Sequence, residues 1–344
     1  MTYAAPIRAV AATAVKRKRG LPPEIDAIAQ VPDSAFLRRA WFAAAGGEVE
    51  TLLLLRPSGR PIAALPLVPA GPGGRLRAVP GSYWPYRGLP IAEEATDAEL
   101  VALLAPAPRI WRLGPMFDSD PSLTRLTRLA PRAGYRVLTR QIGTSWALDI
   151  AAARAEGPWP KPSTMRNLHK HEKKLARLGD LDFRFLSGQD WNGGLLDALA
   201  AIERNAWVGS QAGADRKFAD AGMWQGWEAT LRDPALAAML GVGLLTIGGE
   251  PAAFSFGLNC GRTRYCIATS YDARFAKYSP GYLTGYWTYQ AAAERGVERL
   301  SLGAGDTGDK SSIGAEPEAA IVDCLFVRGA VPAALLRPFW RSKR

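Results

Sequence analysis

The stretch GVGLLTIGGEPAAFSFGLNCGRTRYCIATSYDARFAKYSPGYLTGYWTYQAAAERGVERLSLGAGDTGDK, residues 241–310, decides the fold. Its first part is three apolar runs, Gly241–Ile247, Ala252–Asn259 and Arg264–Tyr271, parted by turns at Gly249-Glu250 and Gly261-Arg262. Short apolar runs between glycine turns read as consecutive antiparallel strands. Ser279-Pro280-Gly281 then opens a helix that runs to Glu294 and stops at Arg295-Gly296. Serine suits the cap, proline is tolerated in the first turn, and glycine lets backbone approach closely. Arg299–Gly303 reads as one more strand, followed by a polar loop to Lys310.

Upstream, apolar spacing predicts a helix over Leu195–Val208 and another over Ala219–Leu231. Phe183–Phe185 alternates as a strand, and Ser163–Leu178 is a basic helix with Ser163 as its cap. Residues 151–162 hold Gly157, Pro158, Pro160 and Pro162, which marks a domain boundary. The preceding part has a similar plan. It gives a helix over Ser34–Ala45, strands over Glu50–Arg56 and Pro61–Val68, an aromatic loop Tyr83–Gly88 and a helix over Asp97–Leu104. A strand over Arg109–Leu113 ended by Gly114-Pro115, a helix over Ser122–Ala130, and strands over Tyr135–Arg140 and Thr144–Ile150 follow. A last strand lies near Ile321–Arg328. The expected layout is a basic disordered tail (1–21), an N-terminal lobe (22–150), a C-terminal catalytic lobe (151–330) and a second basic tail (331–344).

Five pieces of the deciding stretch carry a resemblance: GGEPAAF at 248–254, SYDARF at 270–275, YSPG at 278–281, ERG at 294–296 and GAGDTGDK at 303–310. In that order and separation they resemble the CelD-type acetyltransferases of the GNAT superfamily and the related FemAB-type transferases. The resemblance is specific from Ser163 to Lys310 and loose from Leu37 to Phe326. It implies an α+β or α/β fold of two GNAT-like lobes, each a mixed, mostly antiparallel sheet flanked by helices. It also implies that two parallel strands splay apart to admit acyl-CoA. Thr269 and Ser270 would then offer backbone to the pantetheine, and Tyr278, Ser279, Pro280, Gly281, Tyr282 and Leu283 would form the helix start that receives the pyrophosphate. Many GNAT enzymes carry a Gln/Arg-x-x-Gly-x-Gly/Ala loop there; this chain has Lys277 to Leu283 instead, as CelD-like proteins do.

Amine acylation needs a base, an activated thioester and stabilisation of an oxyanion. Glu203 and Trp207, four apart on one helix, match a Glu/His and Trp pair of the family, with Glu203 as base and Trp207 as acceptor wall. Asp306 and Lys310 complete the catalytic candidates, and Lys310 would bind phosphate or steady the oxyanion. Tyr271 and Asp272 would orient the acceptor, Arg166 and Lys170 would hold an anionic group, and Tyr83, Trp84 and Tyr86 would line a sugar or acyl pocket. An ordinary capped helix, polar turns and solvated helix faces are the structural readings of the same residues.

Composition narrows the classes. The 344 residues carry 43 Lys and Arg against 32 Asp and Glu, a net charge of +11, which favours phosphate-bearing partners. Three cysteines without close spacing argue against a disulfide framework or zinc, and two histidines at 169 and 171 fall on different helix faces. No metal site, Gly-x-Ser-x-Gly elbow, Walker loop or Rossmann fingerprint is present in the letters. No apolar run reaches a membrane span, so a cytoplasmic protein is expected, with its basic ends able to touch anionic lipid. The expected activity is acyl transfer from acetyl-CoA or a longer acyl-CoA to an amine, such as an amino sugar of an envelope polysaccharide precursor. The other readings are N-acylation of a long-chain, sphingoid-type amine, FemAB-like transfer from aminoacyl-tRNA, and a non-catalytic binding module.

Overall fold

A computed structural model describes residues 13–341, apart from 29, 45, 75, 82–87, 207–215 and 307. The strands are β1 (Ala14–Arg19), β2 (Glu50–Leu55), β3 (Pro61–Ala70), β4 (Leu76–Ala78), β5 (Ile110–Phe117), β6 (Tyr135–Asp149), β7 (Leu181–Ser187), β8 (Leu240–Ile247), β9 (Glu250–Cys260), β10 (Thr263–Tyr271), β11 (Arg299–Ala304) and β12 (Glu316–Arg328). The helices are α1 (Arg39–Ala43), α2 (Asp97–Leu104), α3 (Pro121–Leu129), α4 (Ile150–Glu156), α5 (Pro162–Leu175), α6 (Gly193–Asn205), α7 (Ala221–Leu231), α8 (Pro234–Met239), α9 (Pro280–Glu294), α10 (Asp309–Ser312) and α11 (Ala330–Leu336).

All the strands join one sheet in the order β1-β2-β3-β4-β5-β12-β6-β11-β10-β9-β8-β7. Two neighbouring pairs are parallel, β4 with β5 and β10 with β11, and the rest are antiparallel. β8 shows why its letters are almost wholly apolar: every residue is buried. Leu240, Val242 and Leu244 join the large core that also takes Leu199 and Ile202 of α6. Leu245 and Ile247 face the other way, into a second core with Leu168 and Leu175 of α5 and Leu283 and Tyr286 of α9. A strand covered on both faces cannot show alternation.

Several sequence expectations shift here. Lys16–Arg19 belong to no tail: β1 pairs with β2 from Ala14↔Leu55 to Arg19↔Glu50. Its charges suit an exposed edge strand, which charge protects from pairing with other chains. Arg17 bonds Glu50 and the Pro106 carbonyl, and Lys18 lies 3.6 Å from Glu24. At the other end, residues 331–336 are helical in α11. The helix expected from Ser34 starts only at Arg39, because Phe36 and Leu37 lie in the preceding turn. α5 begins at Pro162 with Lys161, not Ser163, at its cap.

The largest departure lies at the lobe boundary. The two strands expected within 135–150 are one strand, β6, with an irregularity near Gln141–Gly143. β5 continues through Gly114-Pro115 to Phe117. β12, although last in sequence, lies between β5 and β6, and β6 turns its far end to β11. Buried Asp323 fixes this arrangement by taking Arg112 of β5 at 2.7 Å and Arg140 of β6 at 2.8 Å.

Candidate active site

β10 and β11 are paired only where Thr263, Arg264 and Tyr265 lie beside Arg299, Leu300 and Ser301. Beyond that point β10 stays with β9, shifting register between Cys266 and Ala268, while β11 stays with β6. The two strands therefore diverge, and a cavity of about 200 Å³ opens between them, lined by residues 266–269 of β10, Leu302, Tyr289 of α9, and Asp309, Lys310 and Ile313.

Each wall has a local cause. Gly303 and Gly305 adopt left-handed conformations (φ 78° and 68°) that curl the chain leaving β11. Its carbonyls converge on the Lys310 ammonium, which donates to Gly303 at 3.1 Å, Ala304 at 2.9 Å and Gly305 at 2.6 Å. Burial lowers the Lys310 pKa. Asp306 organises the same loop by accepting the N–H groups of Gly308 and Lys310, both at 2.9 Å, and of Ser311 at 3.3 Å. Those bonds, with the Ser311 hydroxyl the strongest influence, hold its carboxyl down to about 2. Such a carboxylate is a poor proton acceptor near neutral pH.

α9 forms the floor. Tyr282, Tyr286 and Tyr289 follow its period as a ladder, with ring centroids 5.0 Å and 6.1 Å apart. Burial raises the Tyr289 pKa well above the ordinary phenol value, and its hydroxyl is hydrogen-bonded to Cys266. Beneath lies Arg264, fully buried, with its guanidinium on Asn259 Oδ1 at 2.8 Å and the Gly241 carbonyl at 3.2 Å.

At the open end of the wedge, Tyr271 closes β10 and its ring packs on Gly281: a Cβ there would come within 2.8 Å of Tyr271 Cδ1. Ser279 sits in the left-handed region (φ 58°) and its side chain makes no capping bond. Pro280 has no N–H, and the Leu283 N–H already reaches the Ser279 carbonyl at 3.3 Å. The first-turn N–H groups of Gly281 and Tyr282 have no helical acceptor, and no acidic residue lies in that turn. Helix dipole and unmet donors together suit an anion. α5 braces this turn through His171 Nδ1 and the Tyr278 carbonyl, 3.0 Å apart.

The structure thus gathers Thr269 and Lys310 around the cavity, while Tyr278–Tyr282 do not line it and lie by Tyr271 at the end of β10. Ser270 of β10 pairs with Phe254 of β9, and Leu283 is buried in the core, offering no side chain. Glu203 does not fit the part of a base. Its buried carboxylate accepts Lys217 N–H at 3.0 Å, Phe218 N–H at 2.8 Å and Ala219 N–H at 2.9 Å, which makes it an anchor for that loop. Asp272 is likewise engaged, by Arg274 at 2.9 Å and Asn205 at 3.1 Å. Burial pushes its carboxyl up, but these bonds outweigh that and leave it lowered. Arg166 and Lys170 sit two positions to either side of buried Leu168, so they face solvent rather than α9. Trp207 and the aromatic loop with Tyr83, Trp84 and Tyr86 lie outside the described residues.

Sequence reasoning missed Cys266, Tyr289 and Asp309. The Tyr282, Tyr286, Tyr289 spacing was the available signal for the second. Among the described residues no His, Cys, Asp and Glu cluster could hold a metal ion.

Residues 162–311 match the GNAT acetyltransferase domain. The fold is a GNAT fold, a mixed sheet flanked by helices. No curated protein matches the chain significantly. Among solved structures, FemX is 11% identical, with a TM-score of 0.59 over 87% of this chain and 92% of that one. L-PGS from Bacillus licheniformis is 12% identical, with a TM-score of 0.53 over 93% of this chain and 97% of the other. At those identities the likeness is one of fold.

Proposed function

We propose that the chain is an acyl-CoA-dependent N-acyltransferase whose reaction occurs in the wedge between β10 and β11. The divergence of these strands beside an uncapped, acid-free helix start is the observation that carries this reading. The CoA pyrophosphate would take the free N–H groups of Gly281 and Tyr282, and the pantetheine would lie along β10. The amine attacks the thioester carbonyl, a C–N bond forms, and the C–S bond breaks. A backbone N–H of the irregular stretch 266–268 would receive the oxyanion. Tyr289 keeps its proton at neutral pH and can deliver it to the leaving thiolate. Asp309 lines the cavity and would take the amine proton, directly or through water. Lys310 supplies positive charge to the same wall.

The acceptor is an amine. The CelD-like letters favour an amino sugar of an envelope polysaccharide precursor, with a long-chain amine as the variant. Thermal unfolding with acetyl-CoA and longer acyl-CoAs tests the donor. A ligand at ~100 times its Kd stabilises by ~2.7 kcal/mol. No shift with any acyl-CoA, together with no mass gain on any amine, would overturn the reading.

One feature favours a second donor, aminoacyl-tRNA. Arg166, Lys170, Lys173, Lys174 and Arg177 are exposed on and just beyond α5, and no ion pair engages them among the described residues. Binding of charged tRNA that weakens steeply with salt would support that donor. If neither donor binds, the remaining reading is a non-catalytic module.

A further inference from the structure

Apolar side chains left in water are usually single and scattered. Those of α11 and the turn after it are not. Val331, Leu335 and Phe339 recur every four residues and are 72%, 68% and 83% exposed. Backbone bonds from Phe339 and Trp340 to the Leu336 carbonyl, both at 3.1 Å, carry the helical path past Leu336. The opposite side of this segment, with Ala333 and Trp340, packs against Leu138, Leu325 and Val327. The segment is therefore amphipathic, and nothing among the described residues covers its outer stripe.

The exposed charge around the ridge is basic, since Asp323 beneath Trp340 is fully buried and paired with Arg112 and Arg140. Residues 121–148 and 324–344, which build this end of the molecule, contain no Asp or Glu. Arg136 of β6 and Arg337 at the end of α11 line one groove of about 590 Å³, both exposed, and Arg341 follows. No ion pair engages these three among the described residues.

We propose that this ridge docks the protein on an anionic phospholipid bilayer. Val331, Leu335 and Phe339 enter the acyl boundary, and the Arg136–Arg337 groove receives lipid phosphate. An apolar stripe bordered by arginines suits an interfacial helix lying in the membrane plane. Three side chains offer on the order of 400 Å², short of the ~800 Å² per partner of a stable protein interface, so a bilayer fits better than a second protein. The proposal does not depend on the acyl donor.

The test is flotation of the full chain with vesicles of phosphatidylcholine alone or mixed with phosphatidylglycerol. Binding to the mixed vesicles, weaker at high salt, is expected. V331S/L335S/F339S should weaken it about tenfold or more, and R136Q/R337Q should weaken it and flatten the salt dependence. All five positions are exposed, and unchanged melting temperatures verify folding. Failure of the wild-type chain to bind mixed vesicles overturns the proposal, as does equal binding by the serine variant. A wild-type dimer that the serine variant splits also overturns it, because a second copy would then cover the ridge.

Discussion

Two parallel strand pairs occur in this sheet, each with a helix in the connection between its strands. In the N-terminal half β4 and β5 pair only at Arg77–Trp111 and Ala78–Arg112, and α2 connects them. In the C-terminal half β10, α9 and β11 repeat the plan. The difference lies in the first turn of the helix. α2 starts with a capping box in which Thr96 receives the Glu99 N–H at 3.3 Å and Glu99 receives the Thr96 N–H at 2.8 Å. Asp97 adds a second acid, and Arg56 grips Glu99 at 2.9 Å. α9 has no acid in its first turn, and Ser279 makes no cap. A helix that answers its own N–H groups with carboxylates has nothing left for a phosphate. In the proposed reading, an anion is received only where the first turn is unmet.

If the halves were separate modules, damage in one would spare the other. Asp323→Ala leaves Arg112 and Arg140 without their shared carboxylate between β5 and β6, and should cost ~3–5 kcal/mol. Urea unfolding followed by both fluorescence and circular dichroism should show one shifted transition. Two separable transitions would break the picture of a single sheet.

Tyr282 occupies in α9 the position Glu99 occupies in α2, three residues past the cap. Tyr282→Glu would give the C-terminal helix the closure of its counterpart, and acetyl-CoA affinity should fall ~10–100-fold, or ~1.4–2.8 kcal/mol. Calorimetric titration reads this directly, and an unchanged Kd would break the comparison.

The smallest effect belongs to Glu99→Gln. Gln keeps the acceptor oxygen of the box but loses the charge that Arg56 and the helix start favour, so stability should fall by ~0.5–1 kcal/mol while acetyl-CoA affinity stays unchanged. Hydrogen bonding to Arg56 holds the Glu99 carboxyl at about 2. Because that value lies below the unfolded one of ~4.3, its stabilisation is complete above ~4.3 and disappears as pH falls toward 2. Wild-type and Glu99→Gln melting curves should therefore converge on acidification, and a constant gap would contradict the assignment.

The local parts of this fold were legible in the letters. Asp97–Leu104 carries its cap, the helix from Pro280 to Glu294 carries its opening proline and its stop glycine, and the meander from β8 to β10 has glycine turns at each reversal. What escaped was non-local. Nothing near Ile321 says that its strand threads between two strands far earlier in the chain. The basic run at Lys16 looks like a tail until its partner β2 is seen. The site divides the same way: the start of α9 was readable as a short motif. Whether a carboxylate is free or occupied depends on distant N–H groups, as Glu203 and the 217–219 loop demonstrate. Cys266 and Tyr289 meet only through packing of a helix on a strand.

The position of β12 has a consequence for synthesis. A ribosome delivers β5 and β6 long before the strand that belongs between them. The early half of the chain must wait with a gap in its sheet, its unpaired edges facing outward, while α5 to α10 are still being made. A nascent chain of this kind is most exposed to mispairing, and most in need of a holding chaperone, until residues 316–328 clear the exit tunnel.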